Sequence, residues 1–376
     1  MHHEFPLRDG LIYLNHAAVG VWPRRTADAV KAFAEENMVQ GAADYPVWMK
    51  TERELRGRLQ RLVNASGSDD VALLKNTSEG LSLIAYGLDW QPGDNIVSTD
   101  QEFPSNRIVW ESLASRGVRL RRADVSGEDP EGEMIALMDE KTRLLAVSSV
   151  QFGTGVRMDL KRLGKACQER GILFCVDAIQ SLGAVSFDAQ AVHADFVVAD
   201  GHKWMSGPEG IALFYSTPQA RDRLRLSQYG WHMVEAMGDF DRVEWVPTKS
   251  ARRFEPGSPN MLGITALNAS LSLFEEIGMD QVEKQLLERS RLIMDQISEH
   301  DQFELITPAS SGRYAGIVTF RYKGVDNNGH AALYRRLMDA DIICAHRAGG
   351  IRLSPHFYSD CSRFEAVWET ILSQSI

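Results

Sequence analysis

Short apolar runs alternate with stretches of helical period through the first 215 residues. VALLK (71–75), NIVST (95–99), LLAVSSV (144–150), ILFCVDA (172–178), DFVVAD (195–200) and IALFY (211–215) have the length of strands. Several are apolar on both faces, which predicts parallel strands covered by helices on each side. Between them EGLSLIAYGL sets Leu81, Ile84, Ala85 and Leu88 at helical offsets, and DLKRLGKACQERG has the same period. This alternation predicts an α/β fold, a mostly parallel sheet sandwiched by helices. Past Tyr215 the pattern changes. Residues 216–259 are irregular and rich in arginine, proline and aromatics. ITALNASLSLFEEIG and EKQLLERSRLIMDQISEH then read as long helices, and GIVTFRY and GIRLSP as strands around the helix AALYRRLMDAD. The division expected is an N-terminal arm over 1–20, a large domain over 21–255 and a smaller C-terminal α+β domain over 256–376. Pattern alone assigns the arm to neither unit.

Composition narrows the function classes. The chain has 376 residues, 44% of them hydrophobic, enough for a substantial core. Its formal net charge is −10 and no long basic run occurs, which argues against nucleic-acid or anionic-membrane partners. The four cysteines, Cys167, Cys175, Cys344 and Cys361, show no CxxC spacing; they read as reduced thiols, with no disulfide frame and no metal site. The N-terminus lacks the basic and apolar regions of a signal peptide, and no apolar run approaches the ~18 residues of a membrane helix. A soluble, cytoplasmic protein is expected.

The candidate chemistry gathers at predicted strand ends. In VVADGHKWMSGPEGIALFY a lysine, Lys203, stands between two apolar runs, and in FCVDAIQSLGA an acid, Asp177, ends a buried strand with Gln180 three residues on. In a parallel sheet the carboxyl ends of neighbouring strands meet at one crevice. The pair reads as a plain ion pair or as the two anchors of pyridoxal phosphate, one at the aldehyde and the other at the ring nitrogen. In KNTSEGLSLIA, Asn76 and Glu79 are spaced as a capping box, and Thr77 and Ser78 offer hydroxyls and N–H groups to a phosphate at a helix N-terminus. Phe103, in DQEFPSNRIVW, is a stacking platform or a core aromatic. Gln151 or Gln180 is placed to meet the ring hydroxyl. His202 is a phosphate ligand, a ring cover or a satisfied strand-end histidine.

The ordered set NTSEG, EFPSN, VDAIQ, DGHKW, RFEPGSPN and GGIRLSPHFY resembles the class V aminotransferase family of fold type I pyridoxal phosphate enzymes. That family also holds cysteine desulfurases, kynureninases and isopenicillin N epimerase-like proteins. The resemblance implies that Lys203 is the Schiff-base lysine and α-proton base, Asp177 the partner of the pyridine nitrogen and Gln180 the contact of the ring hydroxyl. It implies phosphate ligands at Thr77, Ser78 and His202, and a homodimer in which Ser258 reaches the partner's phosphate. Arg352 matches the arginine that grips a substrate carboxylate, a task suited to a planar fork of donors. His16, Trp231, His232 and Arg347 are candidates for the substrate side chain, Arg347 for a second anion; each also reads as packing or a dimer contact.

Three departures stand out. The stretch HRAGGIR has no counterpart of the catalytic cysteine loop of desulfurases, and Cys344 in DIICAHR looks like a buried strand residue. Phe103 falls where desulfurases carry a stacking histidine. Asp200 stands where many relatives have a small hydroxyl residue near the phosphate, so it is expected to turn aside onto backbone or His202. Amino-group transfer to or from an α-amino acid ranks first on this basis, with a carbon–sulfur or carbon–carbon lyase or an epimerase as the alternative. A non-catalytic binding protein of the same fold is disfavoured by the intact Lys203, Asp177 and Arg352. A nicotinamide oxidoreductase is disfavoured because no GxGxxG follows the first strand.

Overall fold

The computed structural model describes residues 3–373. Seven strands form the main sheet: β1 (Val71–Leu74), β2 (Asn95–Thr99), β3 (Arg119–Ala123), β4 (Thr142–Ser148), β5 (Leu173–Asp177), β6 (Phe196–Asp200) and β7 (Ala212–Ser216). Their order is β1-β7-β6-β5-β4-β2-β3. All run parallel except β7, which is antiparallel to both of its neighbours. Every residue of β2 and β5 is buried, as near-continuous apolar runs require. The strand RLRRA (β3) is absent from the apolar reading for a physical reason: it lies at the sheet edge, half open to solvent, where arginines are tolerated.

The helices that matter to the crevice are α1 (Arg24–Gln40), α2 (Tyr45–Leu62), α3 (Thr77–Gly87), α4 (Ser105–Glu111), α5 (Leu160–Arg170), α6 (Met261–Ile277) and α7 (Met279–Ser298). Asn76 caps α3 by accepting from the Glu79 N–H, while Glu79 accepts from the Lys75 N–H, so the capping box forms nearly as its spacing predicts. The pattern places helix α6 in the small C-terminal unit. It packs instead on α1 and α2, and its Ile264, Leu267 and Leu271 share one apolar cluster with the main sheet. A helical period reports that one face is buried but not against what.

The C-terminal unit has its own antiparallel sheet: β8 (Phe303–Leu305), β9 (Val318–Tyr322), β10 (Ala345–Arg347) and β11 (Gly350–Leu353), ordered β10-β11-β9-β8. Its core gathers Ile293, Phe320, Leu333, Ile351 and Trp368. The N-terminal arm is bonded to this unit: Ile12–Tyr13 pairs in parallel with Ile342–Ile343, and Asn15 bridges Ser354. The arm then crosses to the main sheet, where the Gly20 N–H donates to the His202 carbonyl at 2.6 Å. A Cβ on Gly20 would stand 2.0 Å from the Lys203 carbonyl oxygen, so only glycine lets the arm approach this closely.

One buried polar network braces the irregular stretch after β7. Arg56 on α2 donates to Glu52, to Glu255 and to the Val71 carbonyl, and Glu255 also accepts from the Leu73 N–H. All three charged side chains are buried. The network ties α2, β1 and the entry to residues 256–259 together. Among the described residues no helix is long and apolar enough to cross a membrane.

Candidate active site

The carboxyl ends of β1, β2, β4, β5 and β6 open into a crevice of about 240 Å³. Thr77, Phe103, Asp177, Gln180, His202, Lys203, Arg347 and Arg352 line it, so seven residues from five separate motifs, with Arg347 just before the last of these, meet in one place. Ala17 and Ala18 of the arm close one side and Phe152 another.

Lys203 follows β6 by three residues and is buried. Burial, with Arg352 nearby, pushes its amine down to about 8, against the pull of Asp177. Its Nζ lies 5.5 Å from the centroid of the Phe103 ring. Asp177 ends β5 and is also buried; burial and the neighbouring Glu102 carboxylate raise its carboxyl well above the usual range. Its Oδ1 accepts from the Ile179 N–H. No ion pair joins Asp177 to Lys203: the two charges face the same crevice without touching. The simple ion-pair reading is therefore replaced by two charges separated across a space.

Arg352, on β11, is buried and has no carboxylate partner among the described residues. Its guanidinium donates to the Phe152 carbonyl at 2.7 Å and to Asn15 Oδ1 at 3.4 Å, and its Nε has no partner. Burial and Arg347 bring it down to about 10. A buried cation without an anion is costly, so this arginine is set for a ligand that carries one. Arg347 closes β10 at the mouth of the same crevice.

Around the start of α3, Thr77 Oγ1 and His202 Nδ1 are buried without hydrogen-bond partners. Ser78 is exposed and donates to Ser105 Oγ. Gln180 is fixed at both ends of its amide: Trp204 Nε1 donates to its oxygen at 2.8 Å, and its nitrogen donates to the Ala17 carbonyl at 3.0 Å. One of its N–H groups is left for the crevice.

Five expected site residues lie elsewhere. Gln151 is wholly buried behind the wall and donates to Glu102 at 3.1 Å, while its neighbour Phe152 takes the lining position. His16 is a packing residue: its Nδ1 lies 2.9 Å from the Ser354 carbonyl and its Nε2 2.7 Å from the Tyr358 hydroxyl. Burial depresses it to about 4, so it is neutral at pH 7. Trp231 lines a separate apolar hollow with Tyr229, Phe240 and Trp245, and His232 is buried against Glu255. Ser258 is exposed on a loop and does not line this chain's own crevice.

The residue that sequence reasoning missed is Glu102. It is buried and accepts five hydrogen bonds, from Thr99 Oγ1, the Ser148 N–H and Oγ, Asn106 Nδ2 and Gln151 Nε2. Nothing in DQEFPSN separates it from a solvated loop glutamate.

Among the described residues no thiol lines the crevice. Cys344 is buried in the core of the small unit, and burial pushes its thiol up to about 12. Where a longer loop would carry a nucleophile, β10 turns directly into β11 through Ala348 and Gly349, both at positive φ (50° and 70°) with Arg347 opposite Gly350. This is a two-residue hairpin of the primed kind.

The donor set fits the cofactor that the resemblance implied. There is an amine whose proton affinity burial has lowered, a buried acid facing it, an unfilled hydroxyl at a helix start and an apolar ring beside them.

Comparison with known proteins agrees. The Aminotransferase class-V family model matches residues 12–352. A probable cysteine desulfurase of Methanothermobacter thermautotrophicus is 28% identical, over 98% of this chain and 96% of that protein. A probable cysteine desulfurase of Pyrococcus abyssi is 32% identical, over 84% of this chain and 80% of its own length. Among solved structures, a lysine-to-alanine mutant of C-DES with glycine covalently linked to the PLP cofactor superposes with a TM-score of 0.90. It covers 99% of this chain and 98% of its own at 22% identity, a likeness of fold.

Proposed function

The chain belongs to the class V aminotransferase family, and on that premise we propose that it is a pyridoxal phosphate-dependent carbon–sulfur lyase acting on a β-sulfur amino acid by elimination. The observation that carries this reading is a crevice holding Lys203, Asp177 and an unpaired Arg352 that no cysteine enters. The similarity to probable cysteine desulfurases supports carbon–sulfur chemistry over the amino-group transfer ranked first from sequence. The missing thiol then favours a route in which sulfur departs on its own, because no enzyme nucleophile is present to accept it.

When bound, the cofactor supplies an aldehyde carbon for amines and a ring that draws electron density from the α-carbon. Asp177 holds a proton at the ring nitrogen, and its raised proton affinity matches a partner that must stay protonated. Phe103 offers a flat apolar face, and Thr77, Ser78 and His202 serve the phosphate. Arg352 grips the α-carboxylate through two parallel donors. Lys203, with its amine near 8, is matched to taking a proton from the α-carbon at neutral pH. The β-sulfur then leaves with the electron pair of the C–S bond, as thiolate or persulfide. Arg347 at the mouth suits a second anion on the side chain, which favours a disulfide form of the substrate whose far half carries a carboxylate.

We place the active form as a homodimer, supported by the exposed Ser258 and by the neighbouring exposed Tyr229, Trp231, Phe240 and Trp245. Sedimentation as a monomer at assay concentration would remove that part of the proposal. Incubation of the loaded enzyme with L-cysteine or L-cystine tests the reaction. Pyruvate and ammonia in equal amounts, with sulfide or persulfide, are expected. Alanine as product would mean desulfuration, a sulfur-bearing keto acid dependent on an acceptor would mean transamination, and a D-amino acid would mean epimerisation.

A further inference from the structure

Asp200, the last residue of β6, occupies an unexpected place. The N–H of Thr77, the first residue of the eleven-residue α3, donates to Asp200 Oδ1 at 3.0 Å. The other carboxylate oxygen lies 3.6 Å from His202 Nδ1. Thr77 Oγ1, buried beside it, is left with no partner. Thr77, Asp200 and His202 all line the crevice. The expectation that Asp200 binds backbone is met, but the backbone it binds is the helix start where an anion is favoured. A carboxylate and a phosphate dianion cannot share that seat without strong repulsion.

We propose that Asp200 is a proton-linked occupant of the anion seat at α3, so that a phosphorylated ligand enters only as the Asp200 carboxyl takes up one proton. The proton comes from solvent, no other bond changes, and the protonated carboxyl then presents an O–H donor toward the phosphate where it had presented a repelled charge. This rests on the reading that the crevice takes pyridoxal phosphate.

The surroundings permit the exchange near neutral pH. Burial raises Asp200 to about 6, opposed by the Thr77 N–H and by Lys203, and Glu209 pushes in the same direction as burial. His202 is held neutral, depressed to about 4 by burial and Lys203, so it cannot neutralise the acid. Asp177 on the adjacent strand adds a like charge. Glu79 in the first turn of α3 is turned away onto the Lys75 N–H, 3.8 Å from the Lys75 amine. Arg347 and Arg352 line the same crevice without contacting Asp200.

Pyridoxine 5′-phosphate is the probe, because it lacks the aldehyde and leaves Lys203 free. Calorimetry at pH 7.5 in buffers of different ionisation heat counts protons taken up on binding, for the full-length protein and for Asp200→Ser and Asp200→Asn. The titrations of the ligand and of Asp177 are common to all three proteins and cancel in the difference. The wild type is expected to take up close to one more proton than either variant. Its Kd is expected to rise up to tenfold per pH unit between 6.5 and 8, relative to theirs. Asp200→Asn keeps the size and the acceptor for Thr77, so it reports even if the serine variant folds poorly. Equal proton uptake and parallel Kd profiles in the three proteins would overturn this inference alone. Failure of the wild type to bind the probe at any pH would overturn it together with the cofactor reading.

Discussion

Replacing Arg352 with methionine separates what a residue does for folding from what it does for the reaction. In the unliganded fold this guanidinium is buried without an anion, and bringing it down to about 10 corresponds to about 3 kcal/mol against the charged folded form. Against this stands the bond to the Phe152 carbonyl, whose loss strands a buried acceptor at a cost of about 1–2 kcal/mol. The apo-protein should therefore become more stable by about 1–2 kcal/mol, seen as a higher urea midpoint at pH 7 with unchanged slope. Two charge-assisted bonds to the substrate carboxylate vanish at the same time. At about 1.5–3 kcal/mol each, they predict a fall in kcat/KM of roughly two to four orders of magnitude. Measured as sulfide release, a product common to both substrates, that loss should appear with cysteine and be absent with cysteamine, which has no carboxylate to hold. A lowered midpoint, or a kcat/KM for cysteine within threefold of wild type, would refute the assignment of Arg352 as a cation awaiting a ligand.

Other expectations follow from the same accounting. Trapping of pyridoxal on Lys203 by borohydride, quantified by peptide mass spectrometry, should speed up with pH and level off near pH 8, because burial lowers the amine to about 8; a rate still climbing past pH 10 would contradict this. Glu255→Gln should cost about 1–3 kcal/mol in the urea transition, since it weakens the charge-assisted bonds from the buried Arg56 while Glu52 still balances that guanidinium. Cys344→Ser should leave the ratio of pyruvate to alanine and kcat/KM within twofold of wild type, as a thiol pushed up to about 12 in the core donates no sulfur chemistry; accumulation of alanine in the wild type, lost in the variant, would show the reverse.

Much of this fold is legible in the chain because its central strands are buried on both faces. An apolar run such as ILFCVDA needs no knowledge of its neighbours to be recognised. The edge strand Arg119–Ala123 escapes the same reading because its burial is partial and its side chains are arginines. The antiparallel direction of β7 escapes it too, since IALFY is as apolar as any parallel strand and direction is set by the short connection from Gly201 to Gly210. Helix α6 was legible as a helix but not as a partner of α1 and α2, because its period carries no address. His16 and Trp231 show the same limit for sites: each is a polar or aromatic side chain near a motif, and only coordinates reveal that one is locked under Tyr358 and the other lies in a different hollow.

The three acids at the strand ends show why burial alone does not mark a functional group. Glu102, Asp177 and Asp200 sit within one layer of the sheet, and burial raises the proton affinity of all three. Glu102 accepts five hydrogen bonds and so is complete; its task is to hold Ser148, Asn106 and Gln151 in place. Asp177 accepts one named bond and faces a cation it does not touch. Asp200 borrows a helix start that a stronger anion can claim. Opposite them, Arg352 has spare donors and no anion. What distinguishes ligand-binding groups here is therefore an unfilled partner of known sign. Read that way, the crevice asks for a protonated ring nitrogen at Asp177, a carboxylate at Arg352 and a dianion at Thr77. One amino acid joined to one phosphorylated pyridine supplies all three.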